Sequence, residues 1–291
     1  MAAVTAGTLL TLDELRHLRR ISSVRGALLV LHAWATIAAA MIVYVVWPSL
    51  LTWLAAAVVI GARQLGLLIL MHEAAHWLLF SRGALNTWIG TWICGAPVGD
   101  GDLPSYRRRH HLHHRHTQQV DDPDLALAAA CVASRRALSL AIFRDLAGWT
   151  ALSSIFQRRT WRQLRRPLAC NAVLFGALAA VGHWELYVVL WLVPRATWFH
   201  VVARLRMIAE HANVGSDEDP LRNARTTRAG LLARTLLAPY WVNYHLEHHL
   251  MVFVPCWKLR RAHTLLLDKG HGARMEVSGS YLDVLRRLTP S

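Results

Sequence analysis

A long uncharged segment near the N-terminus constrains this chain more than any other feature. Gly26 to Trp47 contains no Asp, Glu, Lys or Arg, and a helix that crosses a bilayer needs roughly 20 apolar residues. A second apolar segment, Leu50 to Met71, follows the short turn Pro48-Ser49 and is interrupted only by Arg63 and Gln64. Apolar residues make up 54% of the chain and charged residues only 17%, which is typical of a membrane protein. We therefore predict a transmembrane helical hairpin.

A second hairpin is predicted from Leu168 to Leu192, where the polar segment Gly182-His183-Trp184-Glu185 separates two shorter apolar halves. Between the hairpins, Trp77 to Gly99 is apolar but interrupted by polar residues and glycines, which favours interfacial helices over a crossing. The sequence thus predicts an all-α integral membrane protein with four transmembrane helices and a helical cap. Its single domain over residues 1–291 divides into an interfacial N-terminal helix (1–25), a first hairpin (26–71), a segment with interfacial helices (72–166), a second hairpin (167–203) and a C-terminal segment (204–291).

Arginine placement predicts the orientation of this layout. Four arginines lie between positions 16 and 25, before the first crossing, and the loop between the hairpins contains Arg107 to Arg109 and five arginines between 158 and 166. Both turns on the opposite side lack Lys and Arg, so the positive-inside rule places the loop and the cap in the cytoplasm. The same arrangement accounts for the formal net charge of +14, and nucleic acid is therefore not an expected partner.

Three histidine clusters predict the chemistry. In a helix, residues three and four apart share a face, so each cluster directs two or three imidazoles to one side. Neutral imidazole binds iron, zinc and copper, and one ion takes about four to six ligands. Eight imidazoles on the cytoplasmic side therefore indicate two metal ions. The clusters are His72-Glu-Ala-Ala-His76, His110-His-Leu-His113-His114 and His245-Leu-Glu-His248-His249.

The order HxxxH, HxxHH, HxxHH resembles that of the membrane fatty acid desaturases and related hydroxylases. The resemblance extends to Tyr106 to Thr117, to Asp121-Asp-Pro-Asp124 and to Pro239 to His249, and it covers most of the chain from the second crossing onward. The short HxxxH form is similar to that of bacterial members that act on lipid-linked or other acyl groups. The resemblance implies a protein of a bacterial inner membrane whose active site faces the cytoplasm.

The resemblance also implies a non-haem di-iron centre. It adds His211, just after the fourth crossing, and it places Met207 where acyl-CoA desaturases have an asparagine, which argues against acyl-CoA as the substrate. The implied reaction is O₂-dependent introduction of a double bond into an acyl chain of a lipid. Hydroxylation, or another C–H oxidation of a lipid or small metabolite, is the alternative. The implied iron ligands are His72, His76, His110, His113, His114, His211, His245, His248 and His249.

The resemblance implies an external source of electrons for this reaction. The expected donor is a ferredoxin or a small cytochrome, and such carriers are commonly acidic. We expect the donor to dock on the arginine-rich cytoplasmic face, because opposite charges attract across an interface.

Two other classes of protein fit part of the pattern. His72-Glu73-Ala-Ala-His76 also satisfies the HExxH motif of zinc proteases, with Glu73 as the general base. An intramembrane protease, however, needs only one further ligand and leaves six cluster histidines unused. A metal-ion transporter needs charged residues in several crossings and tends to have irregular histidine-rich loops. The regular spacing therefore favours the oxidase.

Three polar residues near the clusters are predicted to support the metal centre or the substrate. Asp121 and Asp124, with Asp122 between them, could orient imidazoles from behind. Asp122 followed by proline equally indicates the start of a helix. Asn243 is the third of these residues and lies two positions before the final cluster.

Arg63 is a fourth supporting residue, and it lies within a predicted crossing. It precedes His72 by nine residues, so it lies about 13 Å deeper along the helix. A charge at this depth is energetically costly and marks a functional residue by default. Arg63 could bind the polar end of a substrate, or it could belong to a buried structural pair.

Overall fold

The structure is a computed structural model that describes residues 5–125, 134–155, 160–215 and 219–288. Two arginines of the predicted middle-loop group, Arg158 and Arg159, lie outside the described residues. Single turns of 3-10 helix occur at Ala96–Val98, Pro239–Trp241 and His271–Ala273, and π-helical segments occur at Ile89–Gly95 and Tyr187–Leu192. The α-helices and strands are α1 (Ala6–Leu9), α2 (Leu12–Leu18), α3 (Ser23–Val46), α4 (Leu50–Ala75), α5 (Gly83–Trp88), α6 (Leu103–Arg115), α7 (Arg135–Leu146), α8 (Trp149–Ile155), α9 (Trp161–Ala180), α10 (Val193–Ala196), α11 (Trp198–His211), β1 (Thr226–Thr227), α12 (Leu231–Leu236), α13 (His245–Leu250), α14 (Cys256–Asp268), β2 (Val277–Ser278) and α15 (Tyr281–Leu288).

The first predicted hairpin is formed by α3 and α4. The Ser22 hydroxyl accepts a hydrogen bond from the backbone N–H of Arg25 (3.3 Å) and caps α3, and Ser49 caps α4 through the N–H of Thr52 (3.2 Å). Such caps satisfy N–H groups that the first turn of a helix leaves free. The uncharged sequence between the caps keeps both helices unbroken, and they pack against each other.

Helix α4 is the central element of the protein. Nearly every residue from Ile60 to Ala75 is buried, because α3, α11 and the π-helical segment Ile89–Gly95 pack around it. A helix that is apolar on all sides is stable only in such an environment. Its C-terminal end is therefore held on several sides, and this end carries the first histidine cluster.

Among the described residues, three helices are long and apolar enough to cross a membrane: Ser23–Val46, Leu50–Ala75 and Tyr187–His211. The third contains α10 and α11, which meet at Thr197, a residue with non-helical φ and ψ of −121° and −90°. It extends beyond position 203, where the predicted second hairpin ends. Helix α9 precedes it and turns towards it at Gly182, which adopts a left-handed φ of 82°. Arginines occupy the first turns of α9, which shortens its apolar part.

The two short strands position the third histidine cluster. They pair in parallel, with Thr226 opposite Val277, and Thr226 also bridges to Tyr244. The N–H of Thr227 donates to the carbonyl of Asn243 (3.0 Å). The backbone that leads into α13 is thus fixed at the two residues before the cluster's first histidine.

Candidate metal centre

The first histidine cluster lies at the end of α4. His72 is in the last turn and His76 follows the helix directly. Their rings lie on the same side, with centroids 4.8 Å apart, as expected for residues four apart. Trp77 has a left-handed φ of 64°, so the chain turns away immediately after the cluster and leaves both imidazoles buried at the helix end.

The second cluster lies on α6, which Asp102 caps by accepting a hydrogen bond from the N–H of Ser105 (3.4 Å). His110 and His113 are buried and His114 is partly buried. His111, one position along the helix from His110, is exposed. The 3.6-residue period of the helix therefore separates the inward-facing histidines from their neighbour.

The third cluster lies on the short helix α13, and His211 approaches it as the last residue of α11. Within the cluster, the His245 ring is closest to His211, and the Nε2 atoms of these two residues are 2.9 Å apart. The fully buried carboxylate of Glu247 accepts hydrogen bonds from the Thr226 hydroxyl and from Nδ1 of His263 (2.6 Å). These contacts fix the outer face of α13 and so direct its histidines inward.

The predicted histidines form two groups among the described residues. In each group the donor atoms lie within 4.8 Å of one another. The groups adjoin, since the ring centroids of His114 and His249 are 4.3 Å apart. The first group contains His72, His76, His110, His114 and His248, and the second contains His113, His211, His245 and His249.

The positions of the ring nitrogens fit a metal ion in each group. A neutral imidazole has only one N–H, so several converging nitrogens cannot all be satisfied by one another. The Nε2 atoms of His72 and His76 are buried and lack a hydrogen-bond partner among the described residues. Ligands at right angles, about 2.1 Å from one ion, are about 3.0 Å apart. The closest Nε2 pairs are 2.9 to 3.1 Å apart, and they join His114 with His110 and His248, and His245 with His211 and His249.

Burial keeps these imidazoles in the form that binds metal. Burial, with repulsion from His111 and Arg107, lowers the pKa of His76 to about 3. Burial lowers the pKa of five further cluster histidines well below 6.5, and neighbouring imidazoles add to the effect. These histidines are His110, His114, His245, His248 and His249. At neutral pH each therefore has a free nitrogen lone pair.

Hydrogen-bonding groups contact two histidines of the second group from behind. Nδ1 of His113 donates to Oδ1 of Asp122 (2.8 Å), and Nδ1 of His249 lies 3.2 Å from the Thr117 hydroxyl. Burial alone would raise the pKa of Asp122, but hydrogen bonds from His113 and from the N–H of Asp124 outweigh it and lower the pKa. Bonds of this kind leave Nε2 free to face a metal ion.

The carboxylate that contacts His113 is thus that of Asp122. The two nearby aspartates, Asp121 and Asp124, do not contact this histidine. Asp121 is exposed, and Asp124 forms an ion pair with Arg109. The amide of Asn243 is buried and donates to the carbonyl of Thr227 (3.0 Å). The described contacts of these three side chains do not include a cluster histidine.

Arg63 also lies apart from the histidine groups. It is buried, its guanidinium donates to the carbonyl of Thr235, and it lies beside the ring of Tyr240. Its described contacts therefore belong to the segment around α12, which the sequence pattern does not associate with α4.

Glu73 does not have the position of a protease base. One carboxylate oxygen accepts a hydrogen bond from the N–H of Cys256 (2.8 Å), at the start of α14. The other lies 3.8 Å from Nδ1 of His72, on the side of the ring opposite Nε2. Glu73 therefore connects α4 to α14, and this location argues against the HExxH reading.

A polar cavity of about 440 Å³ adjoins the first group. Tyr106, one helical turn before His110, lines it and stacks on the His110 ring, with centroids 5.5 Å apart. Leu68 lies one turn before His72 and lines the same cavity. The cavity thus reaches the two helices that carry this group. Its polar lining includes Asp102, Ser105, Arg109 and Gln163.

Sequence reasoning did not assign roles to Tyr106 or Thr117. Both lie four residues from a cluster histidine: Tyr106 precedes His110 on α6, and Thr117 follows His113 in the turn after α6. That i, i+4 spacing is a signal for contact. It does not distinguish a supporting residue from an ordinary neighbour.

Comparisons with known proteins agree with this geometry. A family model described as fatty acid desaturase matches residues 48–278. The chain is similar to dihydrorhizobitoxine desaturase of Bradyrhizobium elkanii, with 28% identity over 287 residues, which cover 89% of this chain and 80% of the relative. It is also similar to beta-carotene ketolase of Paracoccus sp. (strain PC1), with 29% identity over 245 residues, which cover 80% of this chain and 86% of the relative.

Proposed function

The chain belongs to the fatty acid desaturase family, and on that basis we propose that it is an O₂-dependent di-iron oxidoreductase that introduces a double bond into an acyl chain. The observation that carries the proposal is the division of the histidines into groups of five and four. Each group provides enough nitrogen atoms for one ion with about four to six ligands. A single catalytic zinc needs only three protein ligands, so a protease would leave most of these imidazoles without a role.

The nine histidines would hold the two iron ions, and this pair supplies the oxidising power to break an unactivated C–H bond with O₂ and two electrons. Asp122 and Thr117 orient His113 and His249 from behind. Neutral imidazoles leave the site more positive than carboxylate ligands would. Burial of most of these rings limits the access of water to the centre.

The polar cavity beside Tyr106 favours a second candidate substrate class. A lipid acyl chain requires an apolar channel, whereas this cavity combines apolar side chains such as those of Leu68, Val98 and Phe199 with the polar groups of Asp102, Arg109 and Gln163. A small metabolite with ionic groups fits such a lining better. The two relatives are named as a desaturase and a ketolase, so this alternative includes hydroxylation and other C–H oxidations as well as desaturation.

We further propose four crossings in a bacterial inner membrane, with the metal centre on the cytoplasmic side. Helix α9 would add the fourth crossing to the three candidate helices, because it pairs with the segment that begins at Tyr187. Arginines at its start and on α6 would then face the cytoplasm, as the positive-inside rule requires. Electrons would come from a separate ferredoxin or small cytochrome that docks on these arginines.

The test combines metal analysis with product analysis. Protein purified from iron-supplemented cells should contain about two iron ions per chain. Cells with and without the protein should differ in an O₂-dependent product, detected by mass spectrometry of both lipids and small metabolites. A new double bond in a lipid acyl chain supports the first substrate class, and an oxidised small metabolite supports the second. One zinc ion per chain, with no O₂-dependent product, would contradict the proposal.

A further inference from the structure

Arg63 lies near the middle of the candidate membrane-crossing helix α4, and it is only 3% exposed. An arginine in a membrane-crossing helix is costly unless it has a partner or a function. The metal centre does not explain its presence, because His72 is nine residues away, about 13 Å along the helix axis. Arg63 therefore needs a separate explanation.

The described residues do not include a carboxylate that pairs with Arg63. Its described contacts are the carbonyl of Thr235 and Tyr240, to whose hydroxyl the guanidinium is hydrogen-bonded and whose ring centroid is 5.6 Å from the guanidinium carbon. Two other arginines differ: the partly buried Arg206 pairs with Glu210 (2.6 Å), and the buried Arg225 pairs with Glu276 (3.1 Å). Of these three arginines, Arg63 alone lacks an anionic partner among the described residues.

The backbone around Tyr240 is held in an unfavourable conformation beside Arg63. Tyr240 and Trp241 have φ values of 56° and 59°, a left-handed region that bulky side chains rarely adopt. The Tyr240 ring packs on Gly66, where an added Cβ would lie 2.8 Å from the ring. Backbone strain of this kind persists where surrounding structure enforces it, and it is concentrated at binding sites.

A cavity of about 330 Å³ lies where Arg63, Arg234 and His32 meet. The side chains that line it include no Asp or Glu among the described residues. Its remaining walls are largely apolar and include Leu29 and Trp241, and Leu231 at its edge is 83% exposed. The cavity thus combines two guanidinium groups with apolar walls.

We propose that this cavity binds an oxyanion, a carboxylate or a phosphate, at the end of an apolar tail. A guanidinium presents N–H donors in a fork that matches the two oxygens of either group. Arg63 and Arg234 would share the charge of the anion, and the tail would lie along Leu231 towards the bilayer. The bound anion would supply the partner that Arg63 lacks. The site is independent of the iron ions.

The same oxyanion chemistry can come from two sources, a fatty acid carboxylate or the phosphate of a membrane lipid. The full-length, iron-loaded protein in mild detergent is titrated with matched probes, and binding is measured by native mass spectrometry. Oleate is compared with oleyl alcohol, and phosphatidylglycerol is compared with diacylglycerol. The wild type should bind at least one anionic probe about tenfold more tightly than its uncharged match, as expected for loss of one charge-assisted hydrogen bond.

Three arginine variants locate the binding. Arg63→Gln and Arg234→Gln should each lower the affinity ratio of the anionic to the uncharged probe about tenfold. Arg261→Gln, on the exposed surface of α14, is the matched control and should keep the full preference. If Arg63→Gln does not fold, Arg234→Gln alone decides the outcome.

Preference for oleate identifies a carboxylate ligand, and preference for phosphatidylglycerol identifies a lipid phosphate. Equal binding of charged and uncharged probes by the wild type would overturn the proposal, as would unchanged preference in Arg234→Gln. Iron content and O₂-dependent turnover are measured on the same samples. Failure of the anion site is therefore distinguishable from failure of the proposed enzymatic function.

Discussion

Nδ1 of His113 lies 2.8 Å from Oδ1 of Asp122, and both side chains are buried. The lowered pKa of Asp122 keeps its carboxylate ionised. An ionised carboxylate behind an imidazole fixes the tautomer and raises the basicity of the opposite nitrogen. His113 is thus held with Nε2 facing the other three histidines of its group.

Asp122→Asn should weaken iron binding about ten- to a hundredfold, because the oriented hydrogen bond from the charged partner is lost. The measurement is iron per chain during titration with a chelator. Asp124→Asn removes a neighbouring carboxylate whose partner is Arg109, so it should retain normal iron binding. Equal chelator resistance in the Asp122 and Asp124 variants would show that Asp122 has no role in orienting His113.

His248→Ala should lower bound iron and abolish turnover, since His248 is the only member of the third cluster in the first group. Its Nε2 lies 3.0 Å from that of His114, so removal takes away a central nitrogen. His111→Ala is the matched control, because His111 is exposed and belongs to neither group. We expect at least a thousandfold difference in turnover between the two variants, equivalent to about 4 kcal/mol. Full activity of His248→Ala would refute its role as a ligand.

Metal-depleted protein should become less stable as the pH falls. Six cluster histidines have a pKa in the folded protein below the value of about 6.5 in the unfolded chain, and they are His76, His110, His114, His245, His248 and His249. Below pH 6.5 the unfolded chain therefore binds more protons, and each such histidine reduces the free energy of unfolding by about 1.4 kcal/mol per pH unit. For His76 this loss continues down to about pH 3.

The measurement for this prediction is the thermal unfolding midpoint of the metal-depleted protein between pH 8 and pH 5.5. The midpoint should be nearly constant above about pH 7 and should fall below it. The midpoint of the iron-loaded protein should fall less, because bound metal competes with protons for the same nitrogens. A metal-depleted midpoint that rises on acidification would contradict the neutral state of the buried imidazoles.

Tyr106 provides a test of the polar cavity as the substrate site. Tyr106→Phe preserves the ring that stacks on His110, whereas Tyr106→Ala removes it and enlarges the cavity. If the substrate lies in this cavity, the Ala variant should raise KM or change product selectivity about tenfold or more, with iron content close to that of the wild type. Unchanged kinetics in Tyr106→Ala would place the substrate elsewhere.

The sequence pattern predicted which histidines face inward, because i, i+3 and i+4 spacing is a local property of a helix. The pattern did not predict which histidines belong to which of the two groups. His113 and His114 are adjacent on α6 yet belong to different groups, and His248 is separated in the same way from His245 and His249. This division depends on how the helices approach one another, which spacing within one helix does not encode.

Local sequence spacing also did not predict which of the three aspartates at positions 121, 122 and 124 contacts a histidine. The motif Asp121-Asp-Pro-Asp124 indicated either a carboxylate behind an imidazole or the start of a helix. The turn decides which aspartate reaches His113. The N–H groups of Gln118 and Asp124 donate to Asp122 (3.1 and 2.8 Å), and Gln118 has a left-handed φ of 64°. The resulting turn directs the middle aspartate inward and leaves Asp121 exposed.

The proposed docking surface for an electron donor is rich in arginine. Arg108, Arg162 and Arg165 are exposed and line one surface depression, together with Arg166. An acidic ferredoxin would be attracted to this surface, so turnover at limiting ferredoxin should decrease as salt increases, and Arg165→Glu should raise KM for ferredoxin with little change in kcat. Arg261→Glu, on α14, changes the net charge equally and should have little effect. A rate that does not depend on salt, or equal effects of the two variants, would exclude this surface. Only charges within about one Debye length of the docked donor contribute appreciably to its attraction.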